Sequence, residues 1–229
     1  MKKWLWEYEK YPAFPYQAEN LINLIDKTAQ NIGKLSTLIE ILDQSKENNL
    51  AMETFIEEII SSNAIEGEYL NYDSVRSSVR KRLDKSFNIG EDSSTHHTDA
   101  LTSLLIDSNL NHKDLTVERL NKWHASLFVG GYSSLLENIK VGVFRTYDDM
   151  EVVFGAHGRQ KLHYRALPAD KIDKDIEALL EYINTSDENP YIKSAKAHLW
   201  FVSIHPYDDG NGRIARVITD YILSKNTNL

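Results

Sequence analysis

Apolar residues recur at helical spacing in several separate parts of this chain, and this period constrains the fold more than any other feature. An amphipathic α-helix needs a core-facing stripe of apolar residues with a period of 3.6. Such stripes lie within residues 21–42, 50–60, 170–184 and 214–222. Residues 195–204 are apolar nearly all round, which indicates a buried helix. The sequence therefore predicts a helix in each of these segments.

Residues 205–216 connect the last two of these helices and read His-Pro-Tyr-Asp-Asp-Gly-Asn-Gly-Arg-Ile-Ala-Arg. Pro206 disfavours helical backbone at His205, so one helix ends there and faces the start of the next. Gly210 and Gly212 allow the backbone to approach a ligand closely, and a helix N-terminus offers N–H groups to an anion. This segment therefore predicts a phosphate-binding site.

The side chains of the same segment add chemistry to that site. Arg213 and Arg216 are three residues apart on a helix, so their guanidinium groups can hold successive phosphates of a nucleotide. A neutral His205 could take a proton from an incoming hydroxyl. Asp209 could share Mg²⁺ with phosphate oxygens, whereas Asp208 is the less favoured ligand, a choice that only the resemblance below supports.

These twelve residues resemble the signature of the Fic family, His-x-Phe-x-(Asp/Glu)-Gly-Asn-Gly-Arg-x-x-Arg. They match every specified position except one, because Tyr207 stands where phenylalanine is usual. Most members of that family move AMP from ATP onto a Ser, Thr or Tyr hydroxyl of a protein and release pyrophosphate. The resemblance implies a mainly α-helical fold, a Fic-type helical bundle with a short β-hairpin flap, and the activity of a protein adenylyltransferase.

The resemblance also implies a role for each matching residue. His205 would be the general base for the target hydroxyl, Asp209 the Mg²⁺ ligand, and ATP the co-substrate. Three residues would form the cradle for the α-phosphate, namely Gly210, Asn211 and Gly212. Arg213 and Arg216 would hold the β- and γ-phosphates.

A second segment resembles a family motif that inhibits the enzyme. By itself, the helix predicted at residues 50–60, with Gly67 as its stop, is a capped helix with a solvent-facing glutamate. Beside the 205–216 signature, Ser62-x-x-x-Glu66-Gly67 resembles the inhibitory helix of Fic proteins, here residues 50–67. A Glu66 carboxylate paired with Arg216 would occupy the guanidinium that should hold the γ-phosphate. The resemblance therefore implies an autoinhibited enzyme.

A third segment predicts a β-hairpin. Residues 151–154 are β-prone, residues 155–158 are turn-like, and residues 161–164 alternate again. This position resembles the family's flap, where main-chain pairing with an extended target segment places the target hydroxyl at the active site. An ordinary surface hairpin is the alternative. The residues assigned to target docking are Val152, Val153, Phe154, Gly155, His157 and Gly158.

We predict two regions along the chain. Residues 1–48 hold an aromatic segment, expected to lie extended against the body, and a helix. This region resembles an N-terminal domain of unknown function that precedes some bacterial Fic cores. Residues 49–229 form the catalytic core, and because Fic cores usually continue with further helices, this core is expected to be truncated at its C-terminus. The stripe in residues 21–42 is expected to pack within the monomer, with a homodimer as the alternative.

Composition excludes several functional classes. The net charge of −8 argues against nonspecific nucleic-acid binding. No apolar run is long enough to span a bilayer or to act as a secretory signal, so we expect no membrane partner and a cytoplasmic location. Cysteine is absent, which excludes disulfides and thiolate metal sites. The expected partners are ATP and a protein substrate.

Two other hypotheses stay open at this point, the first being another activity on the same architecture. Some Fic proteins use the inhibitory glutamate to orient a water that removes AMP from the target, and others transfer UMP or phosphocholine on the same architecture. A non-enzymatic module that binds nucleotide or protein is the third hypothesis. It is disfavoured because a binding module has no need of a base at His205.

Overall fold

The computed structural model describes residues 4–84, 86–88, 90, 92–132, 138–154 and 161–226 of the chain. The fold is mainly α-helical, as the sequence predicted. The helices are α1 (Ile22–Glu40), α2 (Gln44–Ile65), α3 (Tyr72–Leu83), α4 (His96–Leu110), α5 (Val117–Leu127), α6 (Ile172–Thr185), α7 (Pro190–Ile204) and α8 (Asn211–Asn226). The strands are β1 (Glu151–Phe154) and β2 (Lys161–Arg165). Within the described ranges, none of the helices combines the length and the apolar character needed to cross a membrane.

The chain forms two compact units. Among the described residues, the first unit consists of residues 4–14 and 108–226, and the second of residues 15–107. The predicted division between residues 1–48 and 49–229 falls inside α2 and stays a prediction.

The first unit has its core where α6, α7 and α8 pack together. Asn189 accepts a hydrogen bond from the N–H of Tyr191, and Pro190 occupies the first position of α7, so both residues favour the start of this helix. The apolar stripes predicted for these helices face inward. The side chains at the centre of this core are almost completely buried: Ile176, Leu179, Ala197, Phe201, Ile204, Ile214, Ile218, Tyr221 and Ile222.

The predicted hairpin is present in this unit. Strands β1 and β2 pair antiparallel, with Glu151 opposite Arg165 and Phe154 opposite Lys161, and the register shifts between Val152 and Val153. The backbone of three predicted docking residues therefore lies in β1, although their side chains are not described. The other three, Gly155, His157 and Gly158, lie outside the described residues.

The second unit holds α1, α2 and α3 and most of α4. Asp43 accepts a hydrogen bond from the N–H of Lys46 at the start of α2, at 3.0 Å. The same helix ends at Ile65, close to the predicted stop, where Gly67 has a φ of +79°. Helix α1 differs from the expectation of packing within the monomer, because none of its residues, all of which the structure describes, is buried.

Candidate active site

The turn between α7 and α8, residues 205–210, places the predicted catalytic residues and is called the motif turn here. It begins at His205, whose backbone is left-handed, with φ 52° and ψ 61°. A residue other than glycine adopts this conformation only where its surroundings hold it. The sequence predicted that Pro206 would end the helix at this point, but it did not predict the left-handed backbone.

Arg145 holds the start of the motif turn. Its side chain is buried, with 2% of its surface exposed. The guanidinium donates hydrogen bonds to four backbone carbonyls, those of Tyr147, Leu167, Ile204 and His205. The backbone N–H of Arg145 also donates to the carbonyl of Pro206, at 2.8 Å. Because these bonds satisfy carbonyls on both sides of His205, they stabilise its unusual conformation.

The imidazole of His205 is held in one tautomer. Its Nδ1 lies 3.4 Å from the carbonyl oxygen of Val202, and since a carbonyl can only accept, this nitrogen carries the hydrogen. The lone pair is therefore on Nε2. Burial lowers the pKa of His205 to about 4, and the positive charge of Arg145 acts in the same direction. His205 is consequently neutral at physiological pH, the form that can accept a proton.

His124 holds the other end of the motif turn from α5. Its Nδ1 accepts a hydrogen bond from the N–H of Gly142 at 2.9 Å, so its Nε2 carries the hydrogen and donates to the carbonyl of Asp209 at 3.1 Å. The ring stacks on Tyr207, with 3.9 Å between the centroids. Burial lowers the pKa of His124 to about 4, so this uncharged side chain acts as a structural link.

Tyr207 and Asn211 close the motif turn on itself. The amide of Asn211 accepts from the N–H of Tyr207 at 3.0 Å and donates to its carbonyl at 2.8 Å. The Tyr207 hydroxyl, on a ring that is completely buried, donates to Oδ1 of Asn121 at 2.8 Å. Because the Asn211 side chain is engaged in this way, the group that it offers to a phosphate is its backbone N–H at the start of α8.

Gly210 is required at its position in the motif turn. Its φ is +75°, a conformation that favours glycine. A Cβ atom there would lie 2.7 Å from Cε2 of Phe128 and 3.1 Å from Cδ1 of Leu127. The side chains of Leu127, the last residue of α5, and of Phe128 therefore lie against the backbone just before the N-terminus of α8.

The two adjacent carboxylates of the motif turn differ in their surroundings. Asp208 accepts a hydrogen bond from the N–H of Lys140 at 3.0 Å, and Asp209 accepts one from the N–H of Gly210 at 2.5 Å. The described residues contain no group of three or more carboxylate or imidazole side chains that could enclose a metal ion. One carboxylate can suffice for Mg²⁺, which takes most of its ligands from water and phosphate oxygens, and the role of Asp209 as a ligand stays a prediction.

The predicted phosphate-binding residues lie together at the start of α8. Arg213 is buried, with 2% of its surface exposed, and its guanidinium carbon lies 4.7 Å from the centroid of the Phe128 ring. Arg216 is one turn further along the helix and is partly exposed. The three predicted inhibitory residues, Ser62, Glu66 and Gly67, lie at the C-terminal end of α2 in the second unit, and the pairing of Glu66 with Arg216 stays a prediction.

Sequence reasoning did not foresee the supporting residues of the site. From the sequence, residues 141–145 resemble only a family segment that leads into the hairpin, and His124 is interpreted only as a structural histidine on a helix. Asn121 gave no signal in the sequence. These residues are linked to the motif turn by hydrogen bonds across 59–86 positions of chain, which a local pattern does not encode.

Two parts of the chain match the models of described families. Residues 114–223 match the model of the Fic/DOC family. Residues 4–84 match a domain of unknown function, DUF4172. Over 174 residues, the chain is 27% identical to the ribonucleoside-diphosphate reductase small chain of Ostreid herpesvirus 1 (isolate France). That match covers 75% of this chain but 27% of the viral protein, so the viral name describes a much longer molecule.

Solved structures of similar fold include Fic proteins. A Fic family protein from Desulfovibrio desulfuricans G20 aligns with a TM-score of 0.60 and 22% identity, over 87% of this chain and 57% of that one. A Fic domain containing signaling protein from Bacteroides thetaiotaomicron VPI-5482 aligns with a TM-score of 0.65 and 18% identity, over 86% of this chain and 73% of that one. At these identities the likeness concerns the fold.

Proposed function

The chain belongs to the Fic/DOC family through residues 114–223, which follow a DUF4172 region at residues 4–84, and we propose that it is an autoinhibited protein adenylyltransferase. The observation that carries this proposal is His205, whose carbonyl is held by Arg145 and whose Nδ1 faces the carbonyl of Val202, at the start of the turn that leads into α8. The family and the fold indicate a transferase of this general type. The finer parts of the proposal are that the transferred group is AMP, that the acceptor is a protein hydroxyl, and that the enzyme inhibits itself.

In the proposed reaction, the oxygen of a Ser, Thr or Tyr hydroxyl on the target attacks the α-phosphorus of ATP. A bond forms between these atoms, the bond from the α-phosphorus to the bridging oxygen breaks, and pyrophosphate leaves. Nε2 of His205 accepts the hydroxyl proton. A bound polyphosphate would favour the imidazolium that forms, because a nearby negative charge raises the pKa of a histidine.

The phosphates would be bound at the start of α8. Backbone N–H groups of Asn211 and Gly212 face an anion at a helix N-terminus, where the helix dipole adds a favourable potential. Arg213 and Arg216 supply positive charge one turn apart for the β- and γ-phosphates. Mg²⁺ bound with Asp209 would neutralise charge on the phosphates. Rate enhancement would come mainly from this positioning and charge stabilisation.

The proposed inhibitor is Glu66, the residue that follows the last residue of α2. A carboxylate paired with Arg216 would prevent this guanidinium from holding the γ-phosphate, and it would repel the triphosphate. ATP would then bind in an unproductive pose. The support for this proposal is the spacing of Ser62, Glu66 and Gly67 and the end of the helix at Ile65.

The test is intact-mass measurement of AMP incorporation with ATP and Mg²⁺, alone and with a cell lysate. We expect Glu66→Gly to label strongly, wild type weakly, and the double variant Glu66→Gly/His205→Ala at least about 100-fold less than Glu66→Gly, the loss typical for removal of a general base. Glu68→Gly is the matched control for Glu66→Gly, because it removes an equal charge two residues away. His112→Ala is the control for the histidine.

The outcomes separate the alternatives. Equal labelling by wild type and Glu66→Gly would contradict autoinhibition. Labelling that survives His205→Ala would contradict the role of the base. Removal of AMP from a labelled protein that depends on Glu66 would instead support the hydrolytic reaction, and labelling only with UTP or a choline-containing donor would identify another transferase. We also propose that the homodimer, which the sequence left open as the alternative, forms through α1, and the exposed side chains of this helix support it.

A further inference from the structure

The aromatic segment 4–14, at the start of the DUF4172 region, contacts the hairpin strand β2. Residues 15–107 separate this segment in sequence from the rest of its unit. The indole N–H of Trp6 donates a hydrogen bond to the carbonyl of Arg165, at 2.9 Å. The ring of Trp4 meets Tyr164 edge-on, with 6.1 Å between the centroids and 86° between the planes. Both partners lie in β2, so the segment contacts this strand directly.

The other end of the same segment is attached to α6 and α7. The Tyr11 hydroxyl donates a hydrogen bond to Oδ2 of Asp175, at 2.5 Å, and burial with this carboxylate nearby raises the pKa of Tyr11. The ring of Phe14 packs against Trp200, with 6.3 Å between the centroids. The segment thus spans from the hairpin to two core helices.

Between its two ends the segment is folded by its own backbone. The N–H of Glu7 donates to the carbonyl of Trp4 at 3.0 Å, the N–H of Tyr11 to that of Tyr8 at 3.0 Å, and the N–H of Ala13 to that of Lys10 at 2.7 Å. Residues 5–7 form a short 3₁₀ turn. Because these bonds restrict the backbone between the two attachments, a displacement of β2 would disturb both of them.

Strand β2 is also tied to the end of α7 beside the base. The Tyr164 hydroxyl donates to the carbonyl of Ser203 at 3.0 Å, and burial raises the pKa of Tyr164 to about 12. Ser203 lies two residues before His205. A hairpin of two strands is marginally stable by itself. The position of β2 relative to His205 therefore depends on contacts such as those of Trp4, Trp6 and Tyr164.

We infer that segment 4–14 is a positioning element for target docking, because it holds β2 at a fixed place relative to His205. An extended segment of the target would pair with the hairpin through its main chain, and a shift of β2 would move the acceptor hydroxyl away from Nε2 of His205. The partner chemistry is that of an unstructured, hydroxyl-bearing polypeptide. This inference rests on the proposed function, because the hairpin docks a target only if the protein transfers AMP.

Two variants isolate the contact. Trp6→Phe removes the N–H donor to Arg165 but keeps an aromatic ring in place, beside the ammonium of Lys171. Tyr8→Phe is the matched control, since Tyr8 lies in the same segment and 54% of its surface is exposed. Both variants are made in the Glu66→Gly background for activity measurements and in the wild-type chain for hydrogen exchange.

The first readout is hydrogen–deuterium exchange, which does not depend on any activity. We expect Trp6→Phe to speed exchange in peptides covering β2 by about fivefold, the effect of losing one hydrogen bond of ordinary strength. Exchange in α8 stays unchanged, and Tyr8→Phe behaves as wild type in both regions. Unchanged exchange in β2 would overturn the inference.

The second readout compares two acceptors for AMP, unfolded casein and water. We expect Trp6→Phe to raise KM for casein about fivefold, while kcat and the release of AMP into water without casein change less than twofold. An equal fall in both reactions would overturn the docking role, because the segment would then support the fold in general. If the Glu66→Gly enzyme transfers AMP to no acceptor, the proposed function fails, whereas hydrogen exchange still decides whether the segment holds β2.

Discussion

The motif turn and helix α1 differ in how far side chains from elsewhere in the chain hold them. The carbonyls of Ile204, His205 and Pro206 accept hydrogen bonds from Arg145, and that of Asp209 accepts one from His124. Helix α1 has 19 residues, all of them described, and none of them is buried. Its leucines at 24, 35 and 38 are 61%, 49% and 58% exposed.

The two regions depend to different degrees on contacts with the rest of the molecule. The motif turn contains a left-handed residue and buried polar groups, so it keeps its shape only while distant side chains hold it. Helix α1 keeps several apolar side chains of its stripe exposed, while Ile25, Ile32 and Ile39 are half-buried, and exposed apolar stripes mark interaction surfaces. Substitutions should therefore destabilise the protein strongly around the motif turn and barely at all on α1.

The largest effect is expected from Arg145→Met, which keeps a long side chain but removes every guanidinium donor. Four backbone carbonyls lose their partner, and an unsatisfied buried polar group costs about 1–3 kcal/mol. We expect the free energy of unfolding, measured in urea, to fall by at least about 3 kcal/mol.

Arg165→Met is the control for that experiment. Arg165 pairs with Glu151 at 2.8 Å on the hairpin, but its side chain is 48% exposed, so its ion pair should contribute less than about 1 kcal/mol. Similar losses in the two variants would contradict the role that we assign to the buried guanidinium.

Two glycines separate backbone strain from close packing in the second prediction. Gly210 and Gly131 have nearly equal φ angles, +75° and +76°. A Cβ atom at Gly210 would lie 2.7 Å from Phe128. A Cβ atom at Gly131 would have no described atom within 4 Å, apart from those of its own residue and its two chain neighbours. We expect Gly131→Ala to cost about 1 kcal/mol through strain alone, and Gly210→Ala about 1–3 kcal/mol more.

Thermal and urea unfolding of the two alanine variants measure this difference. Equal destabilisation would mean that Phe128 moves aside at no cost, and the packing around the motif turn would then be less restrictive than the distances indicate.

The third prediction concerns pH and His124. The folded pKa of about 4 lies below the ordinary value of 6.5, so the unfolded chain binds more protons between these two values. The stabilisation that depends on a neutral His124 is therefore complete above pH 6.5 and decreases as the pH falls toward 4. Between pH 7 and pH 5 this residue alone should account for a loss of about 2 kcal/mol.

Urea unfolding of wild type and His124→Gln at these two pH values tests the assignment. The variant should lose less stability than wild type on acidification, although His205 still contributes in the same direction because its pKa is also lowered to about 4. His112→Gln is the control, since it makes the same substitution at a histidine that lies on the surface. An identical pH dependence in wild type and His124→Gln would contradict the assignment.

The sequence predicted α1, α2, α6, α7 and α8, the hairpin and the end of α7 at His205, because periodicity and proline act locally. It did not predict the left-handed conformation of His205, which depends on Arg145, a residue 60 positions away. Tyr207 is a departure from the family signature that the sequence shows. Its partner Asn121 lies on α5, which only the folded structure brings beside the motif turn. Local rules thus identify the groups that carry the chemistry, whereas long-range hydrogen bonds set their geometry.

The smallest effect on stability is expected on α1. Leu35 is 49% exposed, so Leu35→Lys should change the free energy of unfolding of the monomer by less than about 0.5 kcal/mol. If a second copy covers this stripe, wild type should sediment as a dimer at micromolar concentration, and its unfolding midpoint should rise with concentration. Leu35→Lys should then sediment as a monomer whose midpoint is independent of concentration. A wild-type protein that stays monomeric up to high concentration would contradict the homodimer. A different protein would then be the candidate partner for the stripe. A large loss of stability in the Leu35→Lys monomer would instead show that contacts within the monomer hold α1, as they hold the motif turn.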